Sequence, residues 1–324
     1  MNTLSDKISN KAILAIIVPC YNEQEVIPNT IKKLSSLLKN MCDRDLISID
    51  SYLLFVDDGS KDNTWNIITQ AGNEYPVIHG IRLAHNMGHQ NALIAGYEKV
   101  CNHCNIAITI DADLQDDETK IVEMVKHYSN GCDVVHGVRK SRKTDTIFKR
   151  SSAQAFYRFL KIMDVETVYN SADYRLLSTR AINQLLKYKE TNMYLRGIVP
   201  TLGYKTACVY YDRKERAAGV SKYPISRLLS LAFNGITSFS IRPMHMIMYL
   251  GIIFIFVAVC IVIWVLWCKL RGQAIVGWSS LIISIWFCSG CVLTSLGLIG
   301  EYVGRTYMEV KQRPRYAIMD EINC

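Results

Sequence analysis

Short apolar runs alternate with amphipathic stretches over residues 12–139. The apolar runs predict five strands, at 12–19, 51–60, 77–83, 105–111 and 133–139. The stretches between them predict helices from about residue 23 to 40, and at 63–75, 90–100 and 116–129. Strands that read as solid apolar runs and alternate with helices are typical of a parallel sheet covered on both faces. We therefore predict an α/β domain with a mainly parallel, Rossmann-like sheet.

Polar residues follow three of these strands, at the point where each strand ends. In open parallel sheets, ligands bind beyond the carboxyl ends of the strands, so we expect these side chains to line one crevice. They are Tyr21, Asn22, Glu23, Asp57, Asp58, Asp111 and Asp113.

Acids rather than glycines follow the first strand, which continues as "CYNEQE". Neither G-x-G-x-x-G nor a P-loop stands there, so a dinucleotide enzyme is disfavoured. Acids repel an anionic phosphate, and a bridging divalent cation, Mg²⁺ or Mn²⁺, is therefore expected. Asp111 and Asp113 stand two residues apart, directly after the apolar run. We predict a turn that brings both acids toward one ion, with Gln115 adding a neutral oxygen.

Two long stretches without charged residues follow, at 244–268 and 278–300. Each is long enough to cross a bilayer, which takes about 20 mostly apolar residues. The short connection at 269–277 predicts a helical hairpin whose two ends face the same side. Positive charges flank the hairpin and favour a cytoplasmic N-terminal domain and tail. They are Arg242, Arg305, Lys311, Arg313 and Arg315.

Basic residues cluster between the domain and the hairpin, in a chain whose net charge is +8. The stretch 212–224, "DRKERAAGVSKYP", could close on a diphosphate through Arg and Lys, or be a solvated charge run. Residues 223–243 mix basic and apolar positions at helical spacing, and we predict a helix in the membrane interface there. Residues 144–163 fit an interface helix and an ordinary core-packed helix equally.

Several long motifs occur in a characteristic order, among them "IIVPCYNEQEVI", "LLFVDDGSKDNT", "ITIDADLQDDET" and "NSADYRLLSTRAI". They resemble family 2 glycosyltransferases, and more narrowly the bacterial polyprenyl-phosphate glycosyltransferases related to dolichol-phosphate mannose synthase. The resemblance runs from about residue 13 to residue 316. It implies a cytoplasmic GT-A domain at 1–222, an interface helix region at 223–243, transmembrane helices at 244–268 and 278–300, and a cytoplasmic tail at 301–324.

The resemblance also implies a reaction and its participants. The donor would be a nucleotide-diphosphate sugar, and the acceptor a polyprenyl phosphate, undecaprenyl phosphate in bacteria. Transfer would invert the anomeric centre, depend on Mg²⁺ or Mn²⁺, and take place at the cytoplasmic face of the bacterial inner membrane. No nucleic-acid partner is expected. Homo-oligomerisation through the spans, where "GLIG" at 297–300 offers small residues, is left open.

The resemblance assigns site residues by motif. The nucleotide base and ribose would contact Pro19, Tyr21, Glu23 and Asp57. The metal and the donor diphosphate would bind the segment from Asp111 through Ala112 and Asp113 to Gln115. Further donor contacts would come from Arg139, Arg216 and Lys222, the last two in the basic loop. Asp116 and Asp117 would instead begin the next helix, where negative charge is favourable.

Asp173 matches an acid that the family places near the reacting centre, although Ala172 stands where glycine is commoner. A phosphate monoester is already largely anionic at neutral pH, because its second pKa is about 6. The nucleophile therefore hardly needs a base, and we predict that Asp173 positions groups and tunes charge.

Three other functions fit parts of the sequence. A transferase could use a hydroxyl acceptor, and a membrane-anchored scaffold could bind nucleotides without catalysis. A processive polysaccharide synthase is disfavoured because no Arg-Trp pair of a Q-x-x-R-W motif occurs. The sequence does not specify the sugar or the nucleotide.

Overall fold

A computed structural model describes residues 11–140, 171–190, 193–212 and 277–324, together with isolated positions between 247 and 271. The chain divides into two compact units. The described residues up to 212, together with Arg313–Cys324, belong to the first unit, and those from 277 to Gln312 belong to the second. The predicted helices at 144–163 and 223–243 and the basic loop beyond residue 212 lie outside the described residues.

The first unit is built on an eight-stranded sheet with the order β7-β5-β6-β4-β1-β2-β3-β8. The central strands β1, β2, β3 and β4 run parallel to one another, as do β5 and β7. β6 is antiparallel to β4 and β5 and separates them, and β8 is antiparallel to β3 at the edge. The strands are Leu14–Cys20, Tyr52–Asp57, Ile78–Leu83, Ile106–Thr109, Val134–Arg139, Ser171–Ser178, Thr206–Tyr211 and Ile318–Ile322, numbered β1 to β8. The five predicted strands and the mainly parallel sheet are confirmed.

The helices of the first unit lie between the strands; the four that precede β5 confirm predicted helices, and the two that follow β6 were not predicted. They are α1 at Ile27–Asp43, α2 at Thr64–Glu74, α3 at His89–Val100, α4 at Ile121–Ser129, α5 at Thr179–Leu185 and α6 at Leu195–Thr201. Helix α1 begins later than predicted, because Glu23 O accepts hydrogen bonds from Val26 N and Ile27 N in a preceding turn. Pro28 in the first turn of α1 suits this late start, since the first N–H groups of a helix need no partner within it.

The core explains why the central strands read as solid apolar runs. Every residue of β1 is buried, because β1 lies between β2 and β4 and is covered on both faces. Helix α3 packs so closely on the sheet that a Cβ added to Gly96 would lie 2.5 Å from Ile17 Cγ2. A glycine here lets α3 approach β1, and the residues that follow β1, β2 and β4 are held at one edge of a rigid sheet.

The tail returns to the first unit as β8, which the sequence pattern did not predict. Its residues are mostly exposed, and its register pairs Gly80 with Ile322 and Arg82 with Asp320. Asn323 Nδ2 donates to Gly72 O at 2.8 Å and to Ile78 O at 2.9 Å, which fastens the end of the strand. β8 thereby covers the edge of β3, which would otherwise present unpaired main-chain groups.

The second unit contains a long apolar helix, α7, at Trp278–Lys311. Within the described residues, the segment Phe287–Lys311 is long and apolar enough to cross a membrane. Many of its large apolar side chains are exposed, including Leu293, Leu296 and Val303. The helix continues beyond the predicted span at 278–300. The predicted first span at 244–268 is described only at isolated positions.

Candidate active site

A tight turn follows β4 and carries the two acids of the D-x-D sequence. Leu114 N donates to Asp111 O at 3.1 Å, and Leu114 adopts a positive φ of 46°. The main chain therefore reverses within this segment, and the predicted turn is confirmed. Gln115 N donates to Asp113 Oδ1 at 3.2 Å, while the Gln115 side chain itself is buried. Ala112 is also buried, and its carbonyl accepts a hydrogen bond from Thr30 Oγ1 at 2.6 Å, which anchors the turn on α1.

Several other carboxylates lie near Asp111. Burial raises the pKa of its carboxyl, His89 lowers it, and the nearby Asp116, Asp173 and Asp113 raise it further, so that the net shift of the pKa is upward. The Asp111 side chain is still 43% exposed, so solvent weakens this repulsion without removing it. An exposed carboxylate that is raised in energy by its neighbours has the chemistry of a cation ligand.

The acids at this turn fit a hard divalent cation, although they do not form a complete cage. Among the described residues, no group of three or more His, Cys, Asp and Glu side chains is arranged to hold a metal. Mg²⁺ is usually bound by one or two carboxylates and completes its shell with water and substrate phosphates. Asp111 and Asp113 are the carboxylates at this turn that could hold such an ion.

Strand β6 brings Asp173 to the end of β4. Thr109 Oγ1 donates to Asp173 O at 2.5 Å, joining the two strands at this point. The Asp173 carboxylate accepts from Arg175 at 2.5 Å and from Arg196 at 2.8 and 3.2 Å. Burial would raise the pKa of Asp173, but Arg196, His89 and Arg175 outweigh it and hold the pKa well below its usual value. Asp173 is thus an anion whose two oxygens are both bound by guanidinium groups.

His89 is a site residue that the sequence pattern did not reveal. It is the first residue of α3, and its Nε2 lies 3.5 Å from Asp173 Oδ2 and 3.8 Å from Asp111 Oδ1. Burial lowers its pKa, but Asp173 and Asp111 together raise the pKa above its usual value. In the sequence, the surrounding "HNMGHQN" has the pattern of an ordinary polar connection. His89 lies between two acids only because of the strand order.

Asp57 and Asp58 follow β2 and are buried, unlike Asp111. Asp58 accepts from Met87 N at 2.7 Å and from Gly88 N at 2.9 Å, and so holds the loop that leads to His89. Asp57 is 0% exposed, and its Oδ1 accepts from Ser60 N at 3.1 Å. Its Oδ2 lies 3.5 Å from Arg82 Nε and has no hydrogen-bond partner among the described residues.

The residues after β1 lie beside this second pair of acids. Pro19 is buried within β1, whereas Tyr21 is exposed. Asn22 N donates to Ser60 Oγ at 2.9 Å, and Glu23 N donates to Thr64 Oγ1 at 2.9 Å. The loops after β1 and β2 are therefore joined, and Tyr21, Glu23 and Asp57 lie at one edge of the sheet as predicted.

Arg139 ends β5 and is held by the protein itself. Its NH2 donates to Asp116 Oδ1 at 3.0 Å, and Tyr211 OH donates to the same oxygen at 2.7 Å. The prediction that Asp116 begins a helix is wrong, because Asp116 turns inward to neutralise Arg139. The prediction for Asp117 is confirmed, since it caps the 3₁₀ turn Glu118–Lys120 by accepting from Thr119 N at 3.2 Å. Arg216 and Lys222 lie outside the described residues.

The first unit is an α/β sheet with acids beyond its central strands in place of a glycine-rich phosphate loop, an arrangement that fits a glycosyltransferase of the GT-A fold. The family described as glycosyl transferase family 2 matches residues 15–197, and the chain belongs to this family. The chain is 48% identical over 309 residues to the "Uncharacterized glycosyltransferase YkoT" of Bacillus subtilis (strain 168), covering 95% of this chain and 92% of that one.

A second relative has a more specific name. The "Prophage bactoprenol glucosyl transferase homolog" of Escherichia coli (strain K12) is 35% identical over 307 residues, covering 94% of this chain and 98% of that protein. Solved structures are more distant. The mannosyltransferase PcManGT from Pyrobaculum calidifontis, solved with GDP-Man and Mn²⁺, has a TM-score of 0.45 at 14% identity over 71% of each chain. The fold assignment rests on the family match and the sheet rather than on this similarity.

Proposed function

We propose that this glycosyltransferase moves a sugar from a nucleotide-diphosphate donor to a polyprenyl phosphate, with Mg²⁺ or Mn²⁺ as cofactor. The observation that carries the proposal is the exposed, electrostatically crowded Asp111 beside Asp113 at the carboxyl edge of the sheet. The lipid acceptor is supported by relatives named bactoprenol glucosyl transferase.

On the donor side, Asp111 and Asp113 would hold the metal, with Gln115 supporting the turn through its main chain. The bound cation would stabilise the negative charge that develops on the departing nucleoside diphosphate. Arg139 is a further cation at this edge, and its bonds to Asp116 fix its direction. Arg216 and Lys222 of the basic loop are proposed to hold the same diphosphate. Pro19, Tyr21, Glu23 and Asp57 are proposed to form the nucleotide end of the site.

On the acceptor side, the nucleophile is an oxygen of the lipid phosphate. A bond forms between this oxygen and the anomeric carbon, while the bond from the anomeric carbon to the donor diphosphate breaks with inversion. The lipid phosphate is already largely anionic, so no proton has to be removed. A carboxylate bound by Arg175 and Arg196 is a weak base. Asp173 is therefore proposed to position Arg196 and His89 rather than to accept a proton.

The membrane arrangement is proposed from the chain path. Strand β8 follows α7 in the sequence and pairs with β3, which supports placing the chain before and after the apolar region on one side of the bilayer. The number of crossings would then be even, which fits α7 together with a second span at 244–268. We propose a cytoplasmic catalytic domain and tail at the bacterial inner membrane, with the domain limits predicted from the sequence.

The decisive test supplies purified protein with undecaprenyl phosphate and a panel of radiolabelled nucleotide sugars. The proposal predicts label in a chloroform-extractable lipid that mild acid hydrolyses, from at least one donor, and loss of that product with a chelator. Label in a protein or wall polymer would show a hydroxyl acceptor. Nucleotide binding without any transfer would show a scaffold, and either result would overturn the proposal.

A further inference from the structure

The tail strand β8 reaches the edge of the sheet where the nucleotide end of the site is proposed. Arg82 stands opposite Asp57 in the parallel pairing of β2 and β3, and opposite Asp320 in the antiparallel pairing of β3 and β8. Its guanidinium contacts both acids, with Nε 3.5 Å from Asp57 Oδ2 and NH1 3.7 Å from Asp320 Oδ2. One cation is thus shared between a strand of the catalytic sheet and the chain that follows α7.

Arg82 also contacts the loop that joins the proposed nucleotide residues. Its NH2 donates to Ser60 O at 3.3 Å, and Ser60 Oγ accepts from Asn22 N at 2.9 Å, next to Tyr21. A continuous path of polar contacts therefore runs from Asp320 through Arg82 to the loops after β1 and β2. Moving the guanidinium would move groups on both loops.

Arg82 and Asp57 differ in their exposure to solvent. Asp57 is fully buried, while the Arg82 side chain is 28% exposed. A ligand arriving at this edge would meet Arg82 before Asp57. The buried Asp57 carboxylate holds the guanidinium from one side, and part of the Arg82 side chain remains accessible to solvent.

We propose that Arg82 is a positioning residue for the donor nucleotide, and that β8 holds it in place through Asp320. The inference rests on the proposed function, because it assigns the nucleotide to this edge of the sheet. It adds that the chain after α7 tunes the affinity for the donor while leaving the chemical step unchanged.

Neighbouring residues of β8 offer a matched control. Glu321 follows Asp320 and points to the opposite face of the strand. Its Oε2 lies 2.7 Å from Lys99 Nζ, a shorter ion pair than that of Asp320. Asp320→Asn and Glu321→Gln each remove one negative charge and one ion pair from the same strand. A general loosening of β8 would therefore appear at least as strongly in Glu321→Gln.

The experiment measures donor KM and kcat for transfer to undecaprenyl phosphate in the full-length protein. Asp320→Asn is expected to raise the donor KM about threefold to fivefold, the size of effect that one partly exposed ion pair gives. The kcat should remain within about a factor of two, Asp320→Glu should restore the KM, and Glu321→Gln should match the wild type. Equal KM values in the wild type and Asp320→Asn, or equal shifts in both charge variants, would overturn the inference.

A binding measurement separates this inference from the proposed function. Calorimetric titration with UDP, GDP, CDP and dTDP in the presence of Mn²⁺ needs no acceptor and no turnover. If the wild type binds one of them but transfers no sugar to lipid, the proposed function fails and the Asp320→Asn to Glu321→Gln comparison is made on the Kd. If no nucleoside diphosphate binds the wild type, both fail.

Discussion

Two pairs of acids stand at the carboxyl ends of neighbouring regions of one sheet and serve opposite purposes. Asp57 and Asp58 are buried and bound by groups of the protein, with Asp58 accepting two main-chain N–H bonds. The side chain of Asp111 remains 43% exposed, although burial raises the pKa of Asp57, Asp58 and Asp111 alike. The first pair builds the loops of the site, and the second is available to a ligand. Both pairs consist of aspartates at the ends of strands, so they differ in which hydrogen-bond donors the fold places beside the carboxylates.

The largest effect is expected from the exposed pair. Asp113→Ala should lower the rate of sugar transfer by about 10²- to 10³-fold, the usual cost of losing a group that stabilises developing charge. The melting temperature should change modestly, because Asp113 is half-buried and accepts a main-chain hydrogen bond from Gln115. Turnover of a labelled donor and a thermal melt of the same sample measure both. Full activity of Asp113→Ala in a chelator would contradict the metal assignment.

A third acid, Asp173, resembles the buried pair in being bound by the protein. Asp173→Asn should destabilise the fold by about 3 kcal/mol, because it leaves the buried Arg175 without its charge partner. The folded-state pKa of Asp173 lies below its usual 3.8, so the stabilisation from its ion pairs is complete above that pH. It is lost only as the pH falls through the folded-state pKa.

Chemical unfolding of the wild type and Asp173→Asn should therefore show a stability difference that persists from about pH 5 to 8 through the two arginine pairs. A further share, present below about pH 6.5, should be lost as the pH rises through the raised pKa of His89. A difference that disappears on passing from pH 8 to pH 6 would show that Asp173 titrates near neutrality. The rate per folded molecule of Asp173→Asn provides the second reading. A modest loss fits a positioning role, whereas complete inactivity of folded protein would indicate an obligatory base.

A substitution in the buried pair Asp57 and Asp58 should act mainly by lowering the stability of the fold. Asp58→Ala removes two hydrogen bonds from a charged acceptor and should destabilise the fold by about 2 kcal/mol. Activity should fall through disorder of the Met87–Gly88 connection that carries His89. Hydrogen exchange at these two amides, compared with the amides of α1 as an internal control, measures the local effect. Unchanged protection at Met87 and Gly88 would contradict the structural role of Asp58.

The smallest expected effect is an increase in the stability of the fold, whereas the preceding substitutions lower stability or activity. Asp111→Asn removes a charge that Asp113, Asp116 and Asp173 repel, and should stabilise the apoprotein by less than about 1 kcal/mol, since solvent screens the exposed carboxylate. In a thermal melt without metal, Asp111→Asn should unfold at a slightly higher temperature than the wild type. A clear decrease would mean that Asp111 is a structural acid like Asp58.

The sequence pattern predicted the elements whose burial is regular. β1 is apolar throughout because both of its faces are covered, and the turn after β4 was predicted from two acids that stand two residues apart. β6 was missed because it buries Asp173 and Arg175 as an ion pair, which a hydropathy pattern reads as exposed. β8 was missed because a short, exposed edge strand needs no apolar face. His89 and Arg196 meet Asp173 only through strand order, which local spacing does not encode.

Asp111 and Asp113 are proposed to bind a divalent cation together with the donor diphosphate. Mn²⁺ binding, followed by electron paramagnetic resonance with and without a nucleoside diphosphate, tests this directly and needs no turnover. We expect the wild type to bind Mn²⁺ tightly only with the nucleotide present, and Asp113→Ala to remain folded without binding it. Equal Mn²⁺ affinity in Asp113→Ala and the wild type would contradict this proposal.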